Sequence, residues 1–501
     1  MKNTITSLFI TASLFSSGQT WHKQYPTNNN SSQGYLQNTA IGNGVYYCFN
    51  EDSLPGGSTG KFLSVQKNDL AGNVVWKKSF YTDTTNVETV RMLSSGSAVY
   101  VGGNWKGKAF IASVDTANGA LNYFNLYANS TFSNGITSIN DMTWALPNQI
   151  AATGALATGT NNFLYMLRVS ASNGAPINNN MSTYYMDQVG RGICYYGGKL
   201  YVVGDRNGYP FIGRFTMSGN GLFPNGSNTY TAGIFQPSTF YQVECSNSRI
   251  ACVGGLNAPI VRNFIFDVDT ATIGAGSSTI TGQLFPSSYN FDYITVANSR
   301  VHASGVFNGA AGVVTYTSNA YAGTANTYSV AGVTSRLLRF KNSIYYSMLN
   351  TNASSSLAIV RGDTTGYTIC SSSVIPLQNP MTLTASVLQL GAFANGITTT
   401  LTPPAFSQTV APQTLCGITG LGENQKPLSF VVKQIDGKYE ILSPQANISS
   451  YFVMDMSGKM VQQETLVGEN RVLINPENYA RGIYVVRIKT EAGEKAVKII
   501  H

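Results

Sequence analysis

A repeat with a period of about 50 residues constrains this chain more than any other feature of its sequence. The unit is an apolar strand ending in Gly or a polar turn, a loop, a second apolar strand, and then Asp or Ser followed by Asn-Gly. Its first strand recurs as Val45-Tyr46-Tyr47, Val99-Tyr100-Val101-Gly102-Gly103, Ile150-Ala151-Ala152-Thr153-Gly154 and Leu200-Tyr201-Val202-Val203-Gly204. It continues as Ile250-Ala251-Cys252-Val253-Gly254, Val301-His302-Ala303-Ser304-Gly305 and Ile344-Tyr345-Tyr346. The first residues of these copies are spaced by 54, 51, 50, 50, 51 and 43. A second strand follows each copy, as in Phe110-Ile111-Ala112 and Phe264-Ile265-Phe266. Turns such as Ala117-Asn118-Gly119 lead to a third, and a fourth precedes each unit, as at 136–144 and 241–246. Four strands in about 50 residues make one propeller blade. Closing seven such units into a ring removes the sheet edges that otherwise pair with other chains. The phrase Trp21-His22-Lys23-Gln24-Tyr25 returns 55 residues later as Trp76-Lys77-Lys78-Ser79-Phe80, so the first copy supplies an outer strand that completes the last blade. Residues 371–429 read less clearly, with one strand near 381–390 and irregular closure around Pro403-Pro404 and Pro412.

Composition agrees with strands and turns. Charged residues make up only 11% of the chain, and amphipathic helical patterns are absent. The net charge of +8 is spread along the sequence without a basic patch, which argues against nucleic-acid binding. The last 72 residues differ sharply. They hold nine Lys/Arg and eight Asp/Glu, against 22 and 15 in the preceding 429. Short period-two runs broken at Asp436-Gly437, Ser457-Gly458 and Ala492-Gly493 predict half-buried antiparallel strands there. The expected fold is therefore all-β: a seven-bladed β-propeller followed by a small C-terminal Ig-like β-sandwich. The expected division is a signal peptide over 1–18, the propeller over 19–416, a linker over 417–429 and the sandwich over 430–501.

At the N-terminus, Lys2 precedes the apolar run 7–15 and the small residues Ser16-Ser17-Gly18, a signal-peptide pattern with cleavage between Gly18 and Gln19. No later stretch is long and apolar enough to span a membrane as a helix, so no transmembrane segment is expected in the mature chain. Export permits disulfides. The spacing of Cys245 and Cys252 suits a pair across a tight hairpin, and Cys370 with Cys416 suits a tie at the end of the large domain. Cys48 and Cys194 have no partner by spacing. Connectivity is not fixed by sequence, and buried free thiols remain open for each.

Three stretches of the C-terminal segment stand out: Met454-Asp455-Met456-Ser457-Gly458-Lys459, Gly482-Ile483-Tyr484-Val485-Val486, and Lys495-Ala496-Val497-Lys498. In their order and spacing they resemble the type A C-terminal sorting domain of the Bacteroidetes type IX secretion system. The motif positions are Asp455, Gly458, Lys459, Gly482, Tyr484, Lys495 and Lys498. The usual Pro-Asn-Pro-like opening is only Ser443-Pro444-Gln445-Ala446-Asn447 here. The resemblance implies the secretion machinery as partner and a secreted or outer-membrane-surface location after periplasmic transit. The repeat region is similar to bacterial propeller repeats of the form Asp…Gly-Asn…Trp-x-Lys-x-Phe, seen at Asp69-Leu70-Ala71-Gly72-Asn73-Val74-Val75-Trp76.

Chemistry is sparse. The three histidines, His22, His302 and His501, form no metal-binding pattern, no phosphate loop occurs, and no cofactor is expected. Paired carboxylates are the remaining catalytic option. The candidates are Asp115, Asp141, Asp187, Asp205, Glu244, Asp267, Asp269 and Asp292, most of them at strand ends where Asp builds turns. Asp267-Val268-Asp269 places two carboxylates on one strand face but lacks a full calcium loop. The leading expectation is a non-catalytic module that binds a glycan, a surface polymer or a protein. The alternatives are a carboxylate-dependent polysaccharide hydrolase or lyase, and a structural component of the surface or gliding machinery.

Overall fold

β-branched and aromatic residues alternate with polar ones along each repeat, and this pattern fits pleated strands buried on at least one face. The structure is a computed structural model of the chain. It describes the strands named below and most of their hairpin turns; residues 1–20, 28–35, 363–370 and 418–430 and a number of shorter connecting stretches lie outside it. The chain divides into two compact units, Met1–Gly417 and Ile418–His501.

In the first unit the described strands form seven four-stranded antiparallel meanders. Blade 1 comprises Leu36–Ile41, Gly44–Ser53, Thr59–Asn68 and Val74–Tyr81. Blade 2 comprises Glu88–Ser95, Ala98–Trp105, Lys108–Asp115 and Leu121–Ala128. Blade 3 comprises Ile136–Leu146, Gln149–Thr158, Asn161–Ser170 and Ser182–Met186. Blade 4 comprises Gln188–Tyr196, Lys199–Arg206, Tyr209–Ser218 and Gly221–Thr231. Blade 5 comprises Ser238–Ser246, Arg249–Leu256, Arg262–Asp269 and Thr279–Leu284. Blade 6 comprises Tyr289–Ala297, Arg300–Phe307, Ala310–Thr317 and Gly323–Tyr328. In blade 7 the inner strand is split into Val333–Thr334 and Leu338–Phe340, followed by Ser343–Asn350 and Ser356–Gly362. Its outer strand is Trp21–Pro26, paired antiparallel with Ser356–Gly362. Inner strands touch in the order of the blades, and blade 7 touches both blade 6 and blade 1, so the ring is closed.

The echoing segments both become outer strands, Trp21–Pro26 in blade 7 and Val74–Tyr81 in blade 1. The outer strands of blades 7, 1 and 2 each clamp a turn of the next blade. Lys23 and Tyr25 donate to the carbonyls of Ala71 and Gly72, Trp76 Nε1 to that of Thr116, and Tyr123 and Tyr127 to those of Ala171 and Gly174. The repeat's Gly is explained in the same way. A Cβ on Gly103, Gly154, Gly204, Gly254 or Gly305 would lie 1.8 to 2.2 Å from a carbonyl oxygen of the inner strand. Beside each, the inner strands of blades 2 to 6 carry a bulge, at Thr89/Arg91, Ile139/Asp141, Gly190/Gly192, Phe240/Gln242 and Phe291/Tyr293. A bulge re-aims the side chains around it.

Residues 371–417 overturn the expectation of irregular closure. They form a strap that runs backwards around the ring and adds an antiparallel fifth strand to every blade. Ser371–Val374 joins blade 6, and Asn379–Val387 bridges blades 5 and 4. Phe393–Ala394 joins blade 3, Ile397–Leu401 blade 2, Ala405–Gln408 blade 1 and Gln413–Gly417 blade 7. The length fits: a 47-residue segment reaches at most about 155 Å. A fifth strand lies roughly 25 Å from the axis at about 4.8 Å per strand, where the circumference is about the same. At blade 1 the strap docks into a buried ionic network. Gln408 Nε2 donates to Ser79 Oγ (2.6 Å) and Glu51 Oε2 (3.3 Å), while Lys77 Nζ pairs with Glu51 Oε1 at 2.7 Å.

The cysteines need a correction. Cys245 is bonded to Cys194, not to Cys252, and Cys252 is a buried free thiol, as is Cys48. Cys245 and Cys252 lie on paired strands, but Cys245 stands opposite Ile250 and Cys252 opposite Val243, a diagonal too long for an S–S bond. Cys370 lies outside the described residues, as do Gly18 and Gln19; Cys416 lies on the last strap strand, opposite His22.

The second unit is a two-sheet sandwich. One sheet holds Val431–Ile435, Lys438–Leu442 and Arg471–Ile474; the other holds Ile448–Asp455, Met460–Glu469, Ile483–Thr490 and Gly493–Ile500. Ile441, Val472 and Ile474 from the first pack against Tyr451, Val453 and Val486 from the second.

Candidate functional site

The bulged inner strands bring a set of polar side chains to the axis of the ring. Gln37, Arg91, Asp141, Gln242 and Tyr293 occupy one repeat position, eight residues before Val45, Val99, Ile250 and Val301 and nine before Ile150. In blade 4 the same position is Gly192. Contacts between blades that are not neighbours show that these side chains meet at the centre. Gln37 Nε2 of blade 1 donates to Tyr293 Oη of blade 6 at 3.0 Å. Glu244 of blade 5 lies within electrostatic reach of Arg91 and Asp141 of blades 2 and 3.

Asp141 is fully buried. Its Oδ1 accepts from its neighbour Met142 N at 2.9 Å, and its Oδ2 from Ile193 N of blade 4 at 3.1 Å. Arg91 Nη1 stands 3.9 Å from Oδ1. Burial pushes the Asp141 carboxyl up to about 6, against the pull of Arg91 and the two amides. Burial likewise pushes Glu244 up to about 7, with Arg91 pulling it down and Asp141 pushing it up. Burial also raises the Tyr293 phenol, so it stays protonated and available as a donor.

Of the eight carboxylates singled out by sequence, only Asp141 and Glu244 converge on the axis. Asp115 caps the turn at Ala117 and Asn118, and Asp269 caps Ala271. Asp205 pairs with Arg191 and Asp267 with Arg249, each at 2.8 Å. Asp187 sits in a left-handed turn at φ 61°, and Asp292 is an exposed bulge residue beside Tyr293. Thus Asp267 and Asp269 do not act together. His302 is buried against Thr315, with 2.9 Å between Nδ1 and Oγ1. Arg91, Gln37, Gln242 and Tyr293 escape a search for catalytic motifs, although their shared offset from the repeat anchors is readable in the sequence. Among the described residues, no group of three or more His, Cys, Asp or Glu is placed to hold a metal ion.

In the second unit, Asp455 ends its strand opposite Tyr484, whose Oη donates to Ala480 O at 2.6 Å. Gly482 and His501 exchange backbone hydrogen bonds of 3.0 and 2.9 Å, tying down the last residue of the chain. Residues 435–501 match the family described as "Secretion system C-terminal sorting domain". The C-terminal unit is a secretion-system sorting domain. The strand positions Lys495 and Lys498 of the sorting domain pair with Ile488 and Val485, and Lys498 is exposed. Gly458 and Lys459 lie outside the described residues. The chain carrying the sorting domain is type IX secretion cargo with an all-β propeller ahead of its tail.

No curated protein matches the chain. Several solved structures are similar to it. The β-propeller domain of Cps50 (Swd1) from Myceliophteria thermophila gives a TM-score of 0.41 at 11% identity, covering 68% of this chain and 98% of its own. A 6-phosphogluconolactonase assignment from Bacteroides uniformis gives 0.39 at 11%, covering 73% and 100%. Puromycin hydrolase gives 0.40 at 12%, covering 70% and 55%. Among the described residues, no helix is long and apolar enough to cross a membrane.

Proposed function

We propose that the protein is a secreted or surface-attached binding module, exported through its sorting domain and taking its ligand at the axial end of the propeller. One observation carries the non-catalytic reading: both oxygens of Asp141 are committed to backbone amides of blades 3 and 4, with Arg91 beside them. A general acid or base needs a carboxyl within hydrogen-bond reach of substrate. Asp141 is fully buried with a backbone amide on each oxygen, so among the described residues no accessible second carboxylate stands beside Glu244 for a glycosidase pair. Removal of residues 1–18 between Gly18 and Gln19, and engagement of the secretion machinery by residues 430–501, belong to the same proposal.

A second reading rests on the raised carboxyls. Acids with pKa values of about 6 and about 7 suit general acid catalysis at neutral pH, which favours a polysaccharide hydrolase or lyase. Purified protein incubated with a panel of polysaccharides separates the two. Retention on a polysaccharide without release of reducing ends is the expected result. Release that disappears in Glu244→Gln would replace the binding module with the hydrolase.

A further inference from the structure

A cavity of about 360 Å³ opens in the seam between blades 1 and 2, within the size range of small-ligand sites. Ile41, Tyr46, Lys67, Asp69 and Val75 of blade 1 and Thr116 of blade 2 line it, and none of the axial residues does. Lys67 is half-buried, and its ammonium stands 5.6 Å from the centre of the Tyr46 ring. Its one hydrogen bond among the described residues goes to a neutral acceptor, Thr116 O at 2.8 Å, and it forms no ion pair among them. Trp76 Nε1 and Tyr46 Oη reach the same oxygen at 3.2 and 3.5 Å. A carbonyl oxygen has two lone pairs for these three donors. Lys67 can therefore turn to another acceptor and leave Thr116 O satisfied.

Blade 7 shows what closes the corresponding place. There Arg361 lies 5.8 Å from the centre of the Tyr345 ring and donates through Nη1 to Leu70 O of the next blade, as Lys67 does to Thr116 O. Its Nε is taken up by Ser343 Oγ at 3.1 Å, and Ser343 is the residue before the repeat anchor Ile344. Before the anchor Val45 stands Gly44, where the other five blades carry Ala98, Gln149, Lys199, Arg249 and Arg300. A Cβ on Gly44 would lie 2.9 Å from both Lys67 Cε and Tyr46 Oη. Gly44 thus leaves room for the Lys67 side chain and offers its ammonium no side-chain acceptor.

The lining defines what the cavity takes. Lys67 keeps two N–H donors and its charge. Asp69 accepts from Asn73 N at 2.7 Å and Asn73 Nδ2 at 2.9 Å, one bond on each oxygen, so both oxygens retain acceptor capacity. Val75, 54% exposed, and Ile41 supply apolar wall. A metal ion would stand against Lys67. A phosphate group, nearly doubly charged and without protons to donate, would stand against Asp69. A neutral sugar leaves Lys67 without a counter-charge. A sugar acid brings one carboxylate, several hydroxyl donors and an apolar C–H face.

We propose that this seam is a subsite for a uronic acid residue, with the carboxylate on Lys67 Nζ, a hydroxyl on Asp69 and the C–H face on Val75. The site goes beyond the binding-module reading, which places a ligand at the axial end, and it stands or falls separately.

Isothermal titration calorimetry on the full-length protein tests this. The probes are short galacturonate, glucuronate and mannuronate oligomers, their neutral methyl esters, and leucine as a zwitterion. At least one acidic oligomer binds, and its methyl ester binds more weakly by about tenfold or more. Lys67→Met and Gly44→Gln each weaken the acidic oligomer by about tenfold or more, the scale of one lost bond to a charged group. Gly44→Gln removes no charge and meets only the ends of two side chains, so it carries the test if Lys67→Met fails to melt cooperatively. Acidic binding that persists in both variants, or equal binding of acid and ester, overturns the proposal. Failure of every acidic oligomer to bind overturns it too, and so does leucine binding that Lys67→Met abolishes, which would reassign the cavity to a zwitterion. The axial reading is tested apart from it, by retention of the Lys67→Met protein on neutral polysaccharides.

Discussion

Cys194 and Cys245 join the inner strands of blades 4 and 5 at the place where Thr39 and Ser94 join those of blades 1 and 2. The hydroxyls of the second pair lie 3.0 Å apart, and each pair takes one residue from corresponding points of successive inner strands. The ring thus uses one geometric position for a hydrogen bond in one seam and a covalent bond in another. The bonded cysteines are 51 residues apart, so the crosslink closes a long loop in the unfolded chain. Replacing both by Ala should cost about 2–4 kcal/mol. Thermal melts with and without reductant check this: the reductant should lower the melting temperature of the natural protein and leave the double variant unmoved. Burial raises the Cys252 thiol, so a thiol reagent should label Cys252 only after unfolding.

The strap should depend on the Glu51 network at blade 1. Glu51 is wholly buried and accepts from Ser64, Lys77 and Gln408. Glu51→Ala would strand the buried Lys77 cation and should cost about 3–5 kcal/mol. Gln408→Ala removes only neutral or singly charge-assisted bonds and should cost about 1–2 kcal/mol. Hydrogen exchange would show the Gln408 effect as faster exchange over 405–408 and 74–81, with blades 4 and 5 unchanged.

Gly305 has a different sensitivity from Gly42. A Cβ on Gly305 would sit 1.8 Å from Asn290 O, whereas one on Gly42 would meet nothing within 4 Å. Gly305→Ala must push two strands of blade 6 apart and should cost several kcal/mol, at the upper end of single substitutions. Gly42→Ala is strained only by its φ of +62° and should cost about 1 kcal/mol. Urea titrations of the two variants give the comparison directly.

The axial carboxyls make stability depend on pH in a defined direction. Asp141 and Glu244 hold their protons to about 6 and about 7, above the values near 4 of unfolded chains. The folded protein therefore binds more protons than the unfolded one in this window. The contribution is full below about pH 4 and is lost as pH rises through about 6 to 7. Melting temperature should fall between about pH 5 and pH 8, and Asp141→Asn should flatten that part of the curve. A melting temperature that rises over the interval in the natural protein, and is unchanged in the variant, would count against the axial assignment.

Much of the architecture was legible in the sequence because it is periodic. Strand alternation, the 50-residue period and the Gly four residues after Val99, Ile150, Leu200, Ile250 and Val301 are local signals repeated often enough to align. The Trp21 echo located the closing strand for the same reason: both copies of the phrase are outer strands of their blades. The tail was readable from its change in charge and its motif, both of which survive without any knowledge of tertiary contacts.

Three things were decided only in the folded chain. The strap has no period, because each of its strands meets a different blade and is specified by backbone pairing that almost any residue can make. The Cys194–Cys245 bond joins residues 51 apart, while the nearer Cys252 is excluded by register, and register is not written in spacing. The axial cluster draws its residues from five blades, and only ring closure brings Asp141 and Glu244, 103 residues apart, into one field. The sequence alone determined which segments become strands and how often they recur; closure of the ring determined which of their polar residues share the axis, because side chains one per blade become neighbours only when the blades meet.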